Sequence, residues 1–504
     1  MKANVRKKLG SEKQKIERQL DAAVVFNSSG PTLSEETIHF EMAEKTGAIA
    51  HGGLGAIHQM VNQLQLSKRI NEQLKLLSFH VPYYESDHVL NLAYNALCGG
   101  RTLDDIEHRR NDRVHLQALG TQSIPDPTTA GDFCRRFKPK DIETLQDVFN
   151  DVRVDVWKQH PMLTQQTARI DADGTLTPTL GQCKQGMDIT FKGEWGYHPL
   201  VVSLANTQEP LFIVNRSGNR PSHEGAIDAY NAAIRLVRRA GFTDVLLRGD
   251  TDFSLTGAFD AWTDDGVRFV FGFDASPTMK AWGDSTPEDI YRELVRRADK
   301  KIEVKPRCRP ENIKEKIVEQ RGYKNIKLKS EDVVDFEYQP GKCKKTYRVV
   351  AVRKNLEIWQ GTTHLKDDKR YFFYITNDFD LTDDEVVQEA MQRCNQENLH
   401  AQLKAMRALH APLNTLDANW AYMVMVALAW SLKAWFALRV PIAPRWREKH
   451  AEQQRLLLHM EFRTFLNAVI SIPCQVLRSG RQRIYRFLAW APWLYVLFRQ
   501  ADVS

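Results

Sequence analysis

A few charged residues, far apart in the chain, carry the chemistry this sequence suggests. Asp173 sits in RIDADGT with Asp171 two residues before it. Asp250 ends the run TDVLLRGD, and Glu397 lies in RCNQENLHAQLK between Arg393 and Lys404. Aspartate is depleted from strands, so carboxylates at the ends of apolar runs call for a chemical reason. Gathered in one place they would repel one another unless cations neutralised them. A pair of divalent ions roughly 3.5–4 Å apart needs such carboxylates, to activate water at a phosphodiester and stabilise the leaving oxygen. Mg²⁺ suits oxygen donors of this kind. Arg393, Glu397 and Lys404 stand at i, i+4 and i+11, which on a helix is one stripe, with His400 beside it. There the carboxylate would take a metal and the cations DNA phosphates. An ordinary i,i+4 ion pair on an exposed helix explains the same spacing.

The elements that must position these residues can be read from the apolar pattern. ARIDADGTLTPTL, HPLVVSLANT and EPLFIVNRSG predict three successive strands, rich in β-branched residues and bounded by turn formers. SHEGAIDAYNAAIRLVRRAGF predicts a helix ending at Gly241, TDVLLRGD a fourth strand, SLTGAFDAWTDDG a helix and VRFVFGFDA a fifth strand. The β-β-β-α-β-α-β order predicts a mixed sheet flanked by helices. From about 276 to 369 a Lys-rich segment interrupts it, opening with a predicted helix PEDIYRELVRRADK and continuing with strand-like DVVDFEYQP, TYRVVAVRK and EIWQGTT. YFFYITN returns to core-like strand. A long helix then runs through LTDDEVVQEAMQRCNQENLHAQLKAMRAL, capped by Thr382 with Asp383 and Asp384 in its first turn.

The flanking regions are helical in pattern. Residues 54–160 carry apolar residues at helical spacing, and Thr102 precedes a short acid-led helix. In SIPDPTTAGDFCRRFKPK, Thr128 or Thr129 opens a short helix exposing Arg135 and Arg136, a turn-plus-basic-helix arrangement suited to DNA. Residues 1–50 predict a loosely ordered polar arm. The expected division is a helical N-terminal DNA-binding region (1–160), the first part of a catalytic core (165–275), a basic, largely β insertion (276–369), a core strand with the glutamate helix (370–412) and a helical C-terminal region (413–504).

Composition narrows the class. The 504 residues are 42% hydrophobic and 26% charged, which excludes a disordered or collagen-like chain; at roughly 150 residues per domain the length implies about three domains. Seven cysteines, an odd number with no CxxC pair, point to a reducing cytoplasm and neither a disulfide framework nor a zinc knuckle. The basic start has no apolar segment behind it and is not a signal peptide. Trp420–Val440 contains too short an unbroken apolar run for a membrane span, with Lys433 and Arg439 inside it. The net charge of +7 is modest, but it is clustered. Lys300, Lys301, Lys305, Arg307 and Arg309 form one block. Arg478, Arg481, Arg483 and Arg486, interleaved with Tyr485 and Phe487, form a basic stripe suited to a polyphosphate partner. Gly52-Gly53-Leu54-Gly55 lacks the Lys-Ser/Thr of a phosphate loop. The scattered His51, His58, His80, His88 and His108 lack ligand spacing. Trp420, Trp430, Trp435, Trp446, Trp490 and Trp493 are expected in the core.

Taken in order, these motifs resemble the DDE-type transposases of bacterial insertion sequences, in the branch with a β-strand insertion and a Tyr-x2-Arg-x3-Glu-x6-Lys signature. Arg393, Glu397 and Lys404 match that spacing, whereas the tyrosine position holds Ala390. Asp173-Gly174-Thr175 matches the first acid's Asp-x-Ser/Thr, and RGDTDF supplies Asp250. The resemblance implies an RNase H-like five-stranded mixed sheet and Mg²⁺-dependent cleavage at terminal inverted repeats followed by strand transfer. It implies two ions, with Mn²⁺ as a substitute, held by Asp173, Asp250 and Glu397, with Asp171 assisting or replacing Asp173. It further implies a homodimeric synaptic complex on DNA in a bacterial cytoplasm, no membrane, and Trp282 or Trp359 stacking on a flipped base.

Two alternatives stand beside it. Asp171-Ala172-Asp173-Gly174-Thr175 also resembles the motif of haloacid-dehalogenase-like phosphatases, with Asp171 as nucleophile and Asp173 as acid/base. Against this, QQTARI is a poor buried parallel strand, and antiparallel strands follow where a helical crossover belongs. The other alternative is a catalytically inactive DNA-binding protein with a transposase-derived core.

Overall fold

The computed structural model describes residues 3–24, 47–80, 82–181, 183–295, 313–480, 482–488 and 490–501. Arg481 and the block from Lys300 to Arg309 lie outside the described residues.

The strands expected of the core form as predicted: β1 (Ala168–Gly174), β2 (Leu200–Leu204), β3 (Glu209–Val214), β4 (Val245–Gly249) and β5 (Arg268–Phe273). Their spatial order is β3-β2-β1-β4-β5, antiparallel across β3-β2-β1 and parallel across β1-β4-β5. This is the RNase H-like mixed sheet. It does not stop at five strands. The insertion supplies β6 (Arg292–Glu293), β7 (Lys324–Tyr338), β8 (Tyr347–Gln360) and β9 (Thr363–Thr376), and β9 pairs antiparallel with β5, Phe373 opposite Phe273. One nine-stranded sheet results, in the order β6-β7-β8-β9-β5-β4-β1-β2-β3. The edge of β5 is thereby paired and not left open, and the expected boundary near residue 369 falls inside one continuous strand.

The sheet divides two apolar layers, as strand alternation requires. Val245, Leu247, Phe269 and Phe271 face the main core, where α1 (Ala226–Ala240) and α2 (Thr256–Asp264) pack. Leu246, Val270, Val350 and Val352 face the other way, onto Val386 and Val387 of α3 (Asp383–Gln392). Thr382 caps α3 in a capping box with Glu385.

The flanking regions are helical, with four departures from expectation. Residues 3–24 are a 22-residue helix, not a loose arm; its Lys/Glu-rich sequence includes the i,i+4 pair Lys13–Glu17 at 3.4 Å. The short basic helix is Pro127–Arg135, capped by Asp126, which accepts from Thr129 N at 2.9 Å, so the cap precedes both threonines. The helix expected from 287 is a turn followed by β6 as far as residue 295, and its remainder lies outside the described residues. There Arg292 reaches Asp383 and Asp384 at 2.8 Å each, a tertiary tie that overrides local propensity. Lastly, the basic C-terminal stripe lies on a hairpin, Cys474–Ser479 with Gln482–Phe487, that pairs with Ala48–Ile49.

The apolar helix Leu416–Arg439 is long enough to cross a membrane by length and composition, but all of its apolar window is buried inside the protein. Arg153 (2% exposed) and Glu209 (0%) pair at 3.0 Å beneath it, and Trp157 and Trp435 donate their indole N–H to the same carboxylate at 3.0 and 2.8 Å. This buried cluster ties the N-terminal helix Pro139–Lys158, β3 and the long helix together. Trp420 and Trp430 are core as expected, whereas Trp446 is exposed.

Candidate active site

β1 and β4 are parallel neighbours, with Asp171 in register with Arg248, so Asp173 and Asp250 emerge at the same edge of the sheet. Asp250 follows β4 directly and its carboxylate accepts from Asp252 N at 3.0 Å, fixing a one-turn helix, Thr251–Phe253. Gly272 makes room for that turn: a Cβ there would lie 2.8 Å from Thr251 N. Burial raises the Asp173 carboxyl to about 7, Asp250 and Glu397 push in the same direction, and Arg393 opposes them from 3.5 Å. Burial raises Asp250 as well, with Asp252 adding repulsion and Arg393 again opposing. His400 is 4.0 Å from Asp173, but burial lowers it to about 3, so it is a neutral neighbour. An open cleft of about 610 Å³ has Asp173, Asp250, Asp252, His198 and Lys404 on its walls.

The glutamate reaches this edge on a helix shorter than expected. The long helix is broken at Arg393–Cys394 into α3 and α4 (Asn395–Ala405), so Arg393 ends one helix while Glu397 and Lys404 ride the next. The break lets Gln396, 2% exposed, dock on β2: it donates to Val201 O at 3.1 Å and accepts from Ser203 Oγ. Glu397 sits in the first turn of α4 with its side chain exposed, close enough to Asp173 to repel it. Among the described residues no three His, Cys, Asp or Glu side chains are gathered tightly enough, as they stand, to hold a metal ion.

Asp171 is not free to assist. It is 1% exposed and takes both Arg248 Nε and Nη2, at 2.7 and 2.9 Å. Arg248 also reaches Glu389 on α3 at 2.9 Å, and Glu389 accepts from Arg169 at 2.6 Å. Alternation does place Asp171 on the face of Asp173, yet both of its carboxylate oxygens are held by one guanidinium. A buried, bidentate ion-pair partner is poorly placed to serve as the expected additional metal ligand, and the comparisons below give the phosphatase alternative, with Asp171 as nucleophile, no support. The antiparallel β1–β2 pairing likewise leaves no helical crossover after the motif.

A family model described as Transposase DDE domain group 1 matches residues 41–501. The chain belongs to that family. It is a DNA transposase, and DDE transposases as a family use divalent metal ions. No curated protein matches the chain. Among solved structures it is similar to one described as a cryo-EM structure of piggyBac transposase synaptic complex with hairpin DNA, at 11% identity, 84% of this chain, 85% of that chain and a TM-score of 0.36.

The other expected site residues of the transposase fall into three places. Lys404 lines the cleft, and burial lowers its pKa. Arg135 pairs with Asp132 at 2.5 Å and with Asn414 at 3.2 Å, while Arg136 stands exposed at the end of the same helix. Arg478, Arg483 and Arg486 are exposed on the C-terminal hairpin, where Arg478 pairs across with Arg483 and Arg486 faces the other way. Trp282 packs on Phe336 with ring centroids 3.6 Å apart, and Trp359 lies beneath Lys327 at the far end of β8. His198 and Gln396 had no periodic or motif signal; only the pairing of β1 with β2 brings them to the acids. Gly52 and Gly53 are packing glycines: a Cβ on Gly53 would lie 1.8 Å from Val469 O.

Proposed function

We propose that this transposase cleaves DNA at the terminal inverted repeats of an insertion sequence and joins the freed 3′ end to a new strand. Asp173, Asp250 and Glu397 would hold two Mg²⁺ ions, with Mn²⁺ as a substitute. The donor set fits a hard cation: the acids offer oxygen only, and the burial that raises Asp173 to about 7, with Asp250 and Glu397 adding repulsion, is what a cation would offset. The exposed Glu397 side chain completes the set by turning toward the strand aspartates. When bound, such ions supply Lewis-acid stabilisation of charge on the attacking and leaving oxygens.

The chain's own residues do the rest. Asp173 gives up its proton on metal loading. Arg393, 3.5 Å from Asp173 and close enough to Asp250 to stabilise its charge, offsets the repulsion between the two, and Lys404 at the cleft wall holds a DNA phosphate. Water attacks the phosphodiester at the element end, and the freed 3′-hydroxyl attacks the second strand by in-line displacement. Arg135, Arg136 and the hairpin arginines add phosphate contacts that weaken with salt. Two ends cut in concert imply a homodimer in the synaptic complex, acting on DNA in a bacterial cytoplasm.

The observation that carries this reading is the placement of Asp173 and Asp250 at the ends of the parallel neighbours β1 and β4, on the wall of one cleft with Lys404. The test is a labelled element end incubated with Mg²⁺ and mapped for nicks. Asp173→Ala, Asp250→Ala and Glu397→Ala should each abolish nicking while end binding persists. Nicking that survives one substitution removes that residue. Binding without nicking by the unsubstituted protein would favour an inactive core.

A further inference from the structure

A second cavity, of about 600 Å³, lies away from the acids, where the N-terminal helix Ala3–Val24 meets the chain after the long apolar helix. Trp446, Trp490 and Tyr495 provide aromatic surface in it. Trp446 is 43% exposed, although the sequence pattern places it in the core. Arg6, Lys13 and Lys449 are exposed at its rim, and Arg6 lies over the Trp446 ring at 5.8 Å. Arg499 forms part of its lining and is 9% exposed; Nη1 donates to Gln453 at 3.2 Å, while Nε and Nη2 have no hydrogen-bond partner. No residue lining the cavity is acidic.

Aromatic faces beside exposed cations, with no acidic residue in the lining, suit a base stacked on a ring with its phosphate on the rim. We infer that this cavity takes an unpaired nucleotide of DNA, its base against Trp446 or Trp490 and its phosphate on the rim cations Arg6 and Lys449. The inference deepens the DNA-handling function but does not depend on the acidic site. Sequence-tolerant stacking would let the cavity hold a frayed or displaced strand during end processing.

The test uses the full-length protein and a labelled short deoxythymidine oligonucleotide, with binding followed by fluorescence polarisation. Trp446→Ala should weaken binding roughly ten-fold, and Trp446→Phe, which keeps a stacking face, should restore most of it. Arg6→Glu with Lys13→Glu, exposed rim positions that leave the interior intact, should weaken it by a similar factor. A photoreactive thymidine analogue should crosslink to the segment containing Trp446 or Trp490. Unchanged affinity in all these variants, or crosslinking only elsewhere, would overturn the assignment. Asp173→Asn should leave this binding unchanged. Oligonucleotide binding without nicking would fail the proposed cleavage alone, and nicking without rim-dependent binding would fail the cavity alone.

Discussion

Replacing Asp173 by asparagine should stabilise the metal-free transposase above neutral pH while removing its ability to cut. The Asp173 side chain is 15% exposed, and its carboxyl is raised from 3.8 to about 7 by burial and by Asp250 and Glu397, despite Arg393 at 3.5 Å. That rise is roughly three pH units at about 1.4 kcal/mol each, so the ionised carboxylate weakens the metal-free fold by at most about 4 kcal/mol. Solvent in the open cleft screens part of this, leaving about 2–4 kcal/mol. The folded-state value lies above the unfolded one. The stability gained by the protonated group is therefore complete below about pH 4 and is lost as the pH rises through about 7. Asparagine cannot ionise, so Asp173→Asn escapes that loss. Urea unfolding in the presence of EDTA should show wild-type and variant matched near pH 4 and the variant ahead near pH 8. Added Mg²⁺ should close the gap at the higher pH by favouring the ionised carboxylate. Identical pH dependence in the two proteins would refute the argument that burial and the neighbouring acids hold this carboxyl far above its ordinary value.

Asp171→Ala should cost about 3–5 kcal/mol by chemical denaturation, because it leaves Arg248 buried with its main partner gone; a variant as stable as wild type but unable to turn over would restore Asp171 to the chemistry. Gly53→Ala, whose Cβ would collide with Val469 O, should lower the thermal midpoint severely and reduce soluble yield; lost DNA binding at unchanged stability would contradict the packing role. Lys404→Ala should weaken binding to element-end duplexes and reduce the slope of log affinity against log salt by about one; an unchanged slope would remove Lys404 from the phosphate contacts.

The core strands and the positions of the two strand aspartates within their elements were legible in the sequence because they rest on local rules. Alternation marked β1 to β5, the Thr382 cap marked the start of α3, and an aspartate directly after an apolar run marked the end of β4. The break between α3 and α4 was not legible. No glycine or proline signals it, and it goes with the docking of Gln396 on Val201 O, a contact between segments far apart in the chain. The same holds for β6, where Arg292 satisfies two aspartates of α3 in place of a helix.

Asp171 and Asp173 show the division most clearly. Local sequence puts both on one face of one strand and cannot separate them, since alternation treats i and i+2 alike. The parallel pairing of β1 with β4 sets Arg248 against Asp171, leaving Asp173 with Asp250 on the wall of the cleft. The residue types, their order and the strand periodicity belonged to the sequence. Which carboxylate is neutralised and which is left in want of a cation was decided by register and burial, because electrostatic partnership depends on distances that only the folded chain sets.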